Sequence, residues 1–254
     1  MIRVGRATYD KKGRINYPSY EGFTPIVVML KSHSNYYPLS PYSLKNNDNQ
    51  IMENIWQFSK IYETIPKTTQ KKSRYDDTIV WSHNNETHID SDGKITPQYW
   101  QWRNKGMDHE HPVRYPVGFK YRGNCKYAIP QSDLNLKLNY IEARLKIYVP
   151  VYCELVKKEA NLFVDLQSRL KDGENLLIIE VDGPHQESLA YYQEKYDVND
   201  SFIEDNTLII NKENLTIMIS DSKHPFGHGY CLAMALMNID DMLLDFWVKN
   251  ISSN

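Results

Sequence analysis

The chain reads as a single α+β domain. Three observations predict this: strand-like runs at Ile2–Thr8 and Pro25–Leu30, a buried strand at Asn175–Val181, and helical periodicity through Leu136–Glu159 and Leu162–Leu170. At 254 residues it is long enough for one sizeable domain or two small ones. No repeat, flexible linker or low-complexity tail divides it.

Taken in order, Ile2–Thr8 forms a short strand and Pro25–Leu30 (Pro-Ile-Val-Val-Met-Leu) a stronger one. Lys31 to Tyr42 is a loop rich in Ser, Asn, Tyr and Pro, and Asn46-Asn47-Asp48-Asn49 signals a turn. A helix runs from about Glu53 to Tyr62 and ends before Pro66. Lys67 to Gly106 is polar and irregular. It holds a basic stretch from Lys67 to Arg74, then Trp81-Ser82-His83, then the aromatic cluster Tyr99-Trp100-Gln101-Trp102-Arg103. His109 to Phe119 is punctuated by proline, as a loop or edge strand would be.

Within Leu136–Glu159, residues Leu138, Ile141, Leu145, Tyr148, Tyr152, Leu155 and Val156 share one side, with Pro150 marking a kink or break. Leu162–Leu170 is amphipathic and stops at Asp172-Gly173, where glycine can take the left-handed cap conformation. Asp182-Gly183-Pro184 terminates the buried strand. Leu189–Phe202 reads as a helix and Leu215–Ser220 as a strand-like segment. Gly229–Val248 closes the chain as a long apolar helix, broken near Asn238.

Hydrophobic residues make up 41% and charged residues 24%, ordinary values for a globular protein. A net charge of -2 gives no electrostatic mandate for nucleic acid, although balanced totals can hide a basic face. The 19 tyrosines accompany many Asn, Lys and Ile residues, so an AT-rich genome outweighs a set of stacking platforms as their explanation. Cys125, Cys153 and Cys231 are widely spaced and form no CxxC pair, which predicts reduced, packing cysteines. No apolar leader follows Met1 and no stretch approaches a membrane span, so a cytoplasmic protein without a membrane partner is expected.

Two segments carry the candidate chemistry. In the first, Tyr37-Pro38-Leu39-Ser40-Pro41-Tyr42 leads towards Glu53, Trp56, Gln57 and Lys60, spaced to share a helix face. A carboxylate in a first turn is favoured by the helix dipole alone. Beside an aromatic ring it can also polarise a water or steady an oxocarbenium-like sugar cation. In the second, Asp221 precedes His224, Gly227, His228 and Gly229, a loop running into a helix with N–H groups suited to phosphate or sugar oxygens. Asp182 has the same strand-end grammar, although such an acid often only caps its turn. Two acids, an aromatic wall and a glycine-lined approach point to an enzyme that breaks a glycosidic bond. The spacing fits no Walker or dinucleotide motif, no Gly-x-Ser-x-Gly elbow occurs, and the histidine pairs lack a zinc-protease pattern.

These residues resemble the NADAR (YbiA-like) N-glycosidases, in which a Ser-Pro-aromatic turn precedes a Glu-x-x-aromatic-Gln-x-x-Lys helix. Asp221, Gly227, Gly229, Leu232 and Leu236-Met237 are similar to that family's closing motif, with Phe226-Gly227 matching and Tyr230-Cys231 departing where the family has an Asn. The resemblance covers about a quarter of the chain convincingly and implies one NADAR-like domain over residues 1–254, mostly helical with a small sheet. Insertions would occupy about residues 67–135 and 184–214.

The resemblance further implies hydrolysis of an N-glycosidic bond in an ADP-ribosylated or modified nucleobase, without metal or cofactor. Glu53 would be the leading acid/base and Asp221 its partner or a ribose clamp. Tyr42, Trp56, Gln57, Lys60, Arg114, Asp182, His224, Gly227 and Gly229 would bind the substrate. The inserted Arg74, Trp81, Trp100, Trp102, Arg103, Arg114 and Arg122 could widen the site for DNA, whose target base must be flipped out. The partner is thus a nucleotide or a nucleic acid. The alternative is a non-catalytic nucleotide or ADP-ribose-binding module, and weaker still a structural viral or phage protein with an aromatic-rich core. The sequence leaves the oligomeric state open.

Overall fold

A computed structural model of the chain describes residues 1–29, 34–73 and 76–250. The expected strand end at Leu30, the loop start at Lys31 and Arg74 of the basic stretch lie outside them. The architecture is α+β, and the chain divides into two compact units, Met1–Ser40 with Val149–Asn254, and Pro41–Tyr148.

The first unit is built on a four-stranded sheet. Ile2–Arg6 lies between Thr207–Ile209, to which it is antiparallel, and Leu176–Glu180, to which it is parallel; Thr24–Val27 adds a second parallel neighbour to Leu176–Glu180. All five residues of Leu176–Glu180 are buried, which is why this run is uniformly apolar until Glu180. The helix His228–Leu236 packs on the two central strands, and every one of its residues is buried. Helices Val149–Lys158, Ala160–Lys171 and Asp240–Asn250 pack against it. The expected break near Asn238 is real: Asn238 has φ 53°, the left-handed conformation that Asn tolerates.

Two expectations in this unit change. Leu215–Ser220 belongs to a helix, Lys212–Ser220, not a strand. The Asn211 side chain accepts from the Asn214 N–H at 2.8 Å, and Leu215, Met218 and Ile219 bury one helical face. Asp221 therefore caps the end of a helix. The helix expected to reach Phe202 stops at Tyr196, where Asp197 turns left-handed at φ 54°. The break expected at Pro150 is borne out as the π-helical turn Arg144–Tyr148, which leads directly into Val149–Lys158.

The second unit holds an aromatic core. Phe58, Tyr62, Trp81, Tyr99 and Trp102 are all buried, with ring centroids 4.6 Å apart for Phe58–Trp102 and 4.9 Å for Phe58–Trp81. The segment expected to be irregular contains a hairpin, Thr68–Ser73 with Asp76–His83, and a helix, Pro97–Met107. The helix buries Tyr99, Trp102, Arg103, Gly106 and Met107, at helical spacing. Met52–Phe58 is helical, but Lys60 lies on a strand, Lys60–Tyr62, paired antiparallel with Cys125–Ala128. Ser59 ends the helix there, its hydroxyl donating to the Ile55 carbonyl at 2.6 Å. Near the end of the unit, Arg144–Tyr148 forms a π-helical turn after Tyr140–Ala143, which begins with an Asn139–Glu142 capping box.

Candidate functional site

In the second unit the predicted Glu53 face assembles as its spacing requires. The Ser-Pro-aromatic turn abuts the helix start, where the Glu53 N–H donates to the Pro41 carbonyl at 2.9 Å. Glu53 is buried, and its Oε1 accepts from Gln57 Nε2 at 2.9 Å. Gln57 Oε1 accepts from Lys60 Nζ at 2.9 Å, and that ammonium lies 4.6 Å from the centre of the half-buried Trp56 ring. A strand residue thus completes the line that a longer helix was expected to provide. Trp56 meets Tyr148 edge-on at 5.1 Å. The buried Asn54 anchors the neighbouring loop, donating to the His109 and His111 carbonyls and accepting from the Val113 N–H. Tyr42 and Arg114 are half-buried in the same unit, Arg114 with its guanidinium 5.2 Å from the Tyr115 ring centre.

The other expected DNA contacts divide by burial. Trp81, Trp102 and Arg103 are core side chains, Arg103 donating to the Ile129 carbonyl at 2.8 Å, so they present no surface to fill a gap in a duplex. Arg122 is exposed and lies 3.6 Å over the exposed Phe119 ring.

In the first unit Asp221 is completely buried and collects four donors. Tyr191 Oη and the Lys223 N–H reach Oδ1 at 2.7 and 3.1 Å; Tyr192 Oη and His224 Nδ1 reach Oδ2 at 3.0 and 2.5 Å. Burial alone would raise its pKa, but His224, Tyr191, the Lys223 N–H and Tyr192 outweigh burial and hold it below the ordinary aspartate value. It is an ionised, immobilised carboxylate. The His224 ring lies 5.2 Å from both Tyr191 and Tyr192, and its Nε2 faces Ser188 Oγ at 2.9 Å.

Sequence reasoning missed Glu180, the buried acid at the end of the central strand. Its Oε1 accepts the Gly229 N–H at 2.8 Å, so that donor serves the protein itself. Its Oε2 forms an ion pair with His228 Nδ1 at 3.0 Å, with the ring N–H not aligned on the oxygen. His228 Nε2 lies 2.7 Å from the Val28 carbonyl, which can only accept. Burial lowers the His228 pKa, yet the Glu180 carboxylate and the Val28 carbonyl outweigh it and lift the ring above the ordinary histidine value. The glycines are explained by the same carboxylate: a Cβ at Gly227 would stand 2.2 Å from Glu180 Oε2, and one at Gly229 2.7 Å from Oε1. A lone acid closing an apolar strand was the available signal, because a buried charge needs partners. Asp182, half-buried just after that strand, adds to the negative field on His228.

Among the described residues no group of three His, Cys, Asp or Glu side chains could hold a metal ion, and no helix is long and apolar enough to cross a membrane. Cys153 and Cys231 are free, buried thiols, each pushed up in pKa by burial. Compared with known proteins, the chain matches no family model, no curated protein and no solved structure.

Proposed function

We infer that the chain is an N-glycosidase that hydrolyses the bond between a ribose and an ADP-ribosylated or modified nucleobase, in a nucleotide or in DNA. The observation that carries this reading is the buried Glu53–Gln57–Lys60 line beside Trp56. Hydrolysis at an anomeric carbon passes through an oxocarbenium-like state that a held carboxylate can stabilise, and the same carboxylate can take a proton from the attacking water. Gln57 fixes the Glu53 oxygen, and Lys60 fixes Gln57 while keeping a cation beside the aromatic face. Trp56 offers a ring edge for a base or sugar, with Tyr42 and Arg114 as further binding groups.

Asp182 and His224, also implied as binding groups, belong to the first unit, where Glu180 already takes the Gly229 N–H. Both oxygens of Asp221 are already engaged within that unit, which leaves the base-release chemistry of this reading to Glu53. For DNA as substrate, the exposed Arg122–Phe119 pair is the favourable feature, since a cation over an aromatic ring suits a backbone and an unstacked base.

Glu53→Gln tests the assignment. The amide preserves an acceptor for Gln57 while removing the charge and the base. Release of free base from ADP-ribosylated DNA, ribosyl nucleotides and modified DNA, read by mass spectrometry, should fall about 10²–10⁴-fold with binding retained. Turnover that survives the substitution would remove Glu53 from its role. Binding without release by the unmodified chain would instead establish the non-catalytic module.

A further inference from the structure

We propose that Ser188, His224 and Asp221 form a nucleophile–base–orienter relay that cleaves carboxylic esters, an activity separate from base release. The order and geometry are those the chemistry requires. Ser188 Oγ lies 2.9 Å from His224 Nε2, and His224 Nδ1 lies 2.5 Å from Asp221 Oδ2. Asp221 is buried and held ionised by its donors, so in the neutral ring the proton sits on Nδ1 and the Nε2 lone pair faces the serine. Two tyrosine rings flank the imidazole, and the Tyr191 and Tyr192 hydroxyls occupy the rest of the carboxylate.

The placement of Ser188 is the second, independent observation. It stands at the N-cap of the helix Leu189–Tyr196, where a serine ordinarily bonds the second or third amide of the helix for about 1 kcal/mol. Here the side chain makes no capping bond. The hydroxyl points instead at the imidazole, and the residue is only half-buried, within reach of a ligand.

The reaction balances without a co-reactant other than water. Ser188 Oγ attacks the ester carbonyl carbon as its proton passes to His224 Nε2. The tetrahedral intermediate collapses, the bond from carbonyl carbon to alkoxy oxygen breaks, and the alcohol leaves with the proton from Nε2. Water, deprotonated by the same nitrogen, then hydrolyses the acyl-serine to the carboxylic acid and restores Ser188. Asp221 touches no reacting atom and is a positioning residue.

The test is labelling of the full chain with a fluorophosphonate ester, which forms an Oγ–P bond and expels fluoride. The expected result is one adduct per chain, located at Ser188 by peptide mass spectrometry, together with turnover of p-nitrophenyl acetate. Ser188→Ala abolishes both, and His224→Gln slows labelling about 100-fold or more. The unmodified protein alone is decisive if a variant fails to fold: no adduct at Ser188 overturns the proposal. Labelling equally fast in a folded H224Q protein overturns it too. Base release is measured on the same preparations, and S188A retains it, so failure of this relay and failure of the Glu53 assignment are read separately.

Discussion

Replacement of Glu180 by methionine tests whether the buried carboxylate organises the first unit. Methionine is unbranched and close in length, so the perturbation is the loss of two acceptor oxygens rather than of volume. One oxygen takes the Gly229 N–H at 2.8 Å and the other faces His228 Nδ1 at 3.0 Å. Glu180 is fully buried and His228 is 8% exposed, so water cannot replace either partner. Breaking a buried pair costs about 3–5 kcal/mol, whereas an exposed pair costs about 0–1. Glu180→Gln should cost less than half as much, because its carbonyl still accepts from Gly229 and its amide can donate to a neutral His228 Nδ1. The assay is amide hydrogen exchange of peptides covering residues 176–180 and 230–236, which report the sheet and the buried helix directly. Glu180→Met should accelerate their exchange by about two to three and a half orders of magnitude. A cost under about 1 kcal/mol, or equal costs for the two variants, would refute the reasoning.

Three further outcomes follow from the packing and the charges. His228 has a raised pKa, so its contribution to stability is complete below the ordinary histidine value of 6.5 and is lost as pH rises through the higher folded value; Asp221, held low, contributes fully above 3.8 and fails as pH falls through its folded value. Exchange protection of residues 230–236 should therefore decline on the alkaline side, and Glu180→Gln should flatten that decline. Gly106→Ala should destabilise the second unit, although alanine gains about 1 kcal/mol of helix propensity: its Cβ would lie 2.0 Å from Phe58 Cε1, and two tryptophans hold that ring. Overpacking of about 1–3 kcal/mol then decides the sign, and a higher melting temperature by tryptophan fluorescence would contradict it. Tyr192→Phe removes one donor from a buried carboxylate and should cost about 1.5–3 kcal/mol in chemical denaturation.

The strands Asn175–Val181 and Ile2–Thr8 were legible because they are apolar and short, and they fall on the first unit's two central strands, whereas Lys60–Tyr62 and the pair Thr68–Ser73 and Asp76–His83 were not. The Glu53, Trp56, Gln57 and Lys60 spacing was legible as a shared face, although strand pairing with Cys125–Ala128 ends the helix before Lys60. The helix Pro97–Met107 was hidden by its own core, because Arg103 and Gly106 occupy buried positions that a hydrophobicity pattern scores as polar. Lys212–Ser220 read as a strand because its Thr-Ile-Met-Ile run is rich in β-branched residues, while the Asn211 cap and the packing of Leu215 and Ile219 decide for a helix. Ser188 carried no signal at all. Its partner arrives from 36 residues away along the chain, a proximity that only tertiary structure creates.

Three buried carboxylates, each held differently, lead to three different chemical expectations. Glu180 is locked between a backbone amide and an imidazole, so it shapes the Gly227–Gly229 loop. Glu53 accepts from the neutral amide of Gln57, on the face it shares with Trp56. Asp221 has both oxygens filled, and one of its partners is the imidazole it orients. The difference predicts what Asp221→Asn does. An amide oxygen still accepts from Tyr191, but the amide N–H, placed towards His224, forces the ring proton from Nδ1 to Nε2. Nε2 then donates to Ser188 and can no longer accept its proton. Labelling of Ser188 should fall about 10⁴-fold, as expected when an imidazole is held in the wrong tautomer. The ¹⁵N resonances of His224 should report the exchanged protonation directly. A chain with native exchange protection, the Nε2–H tautomer and undiminished labelling would break the link between Asp221 and the reactivity of Ser188.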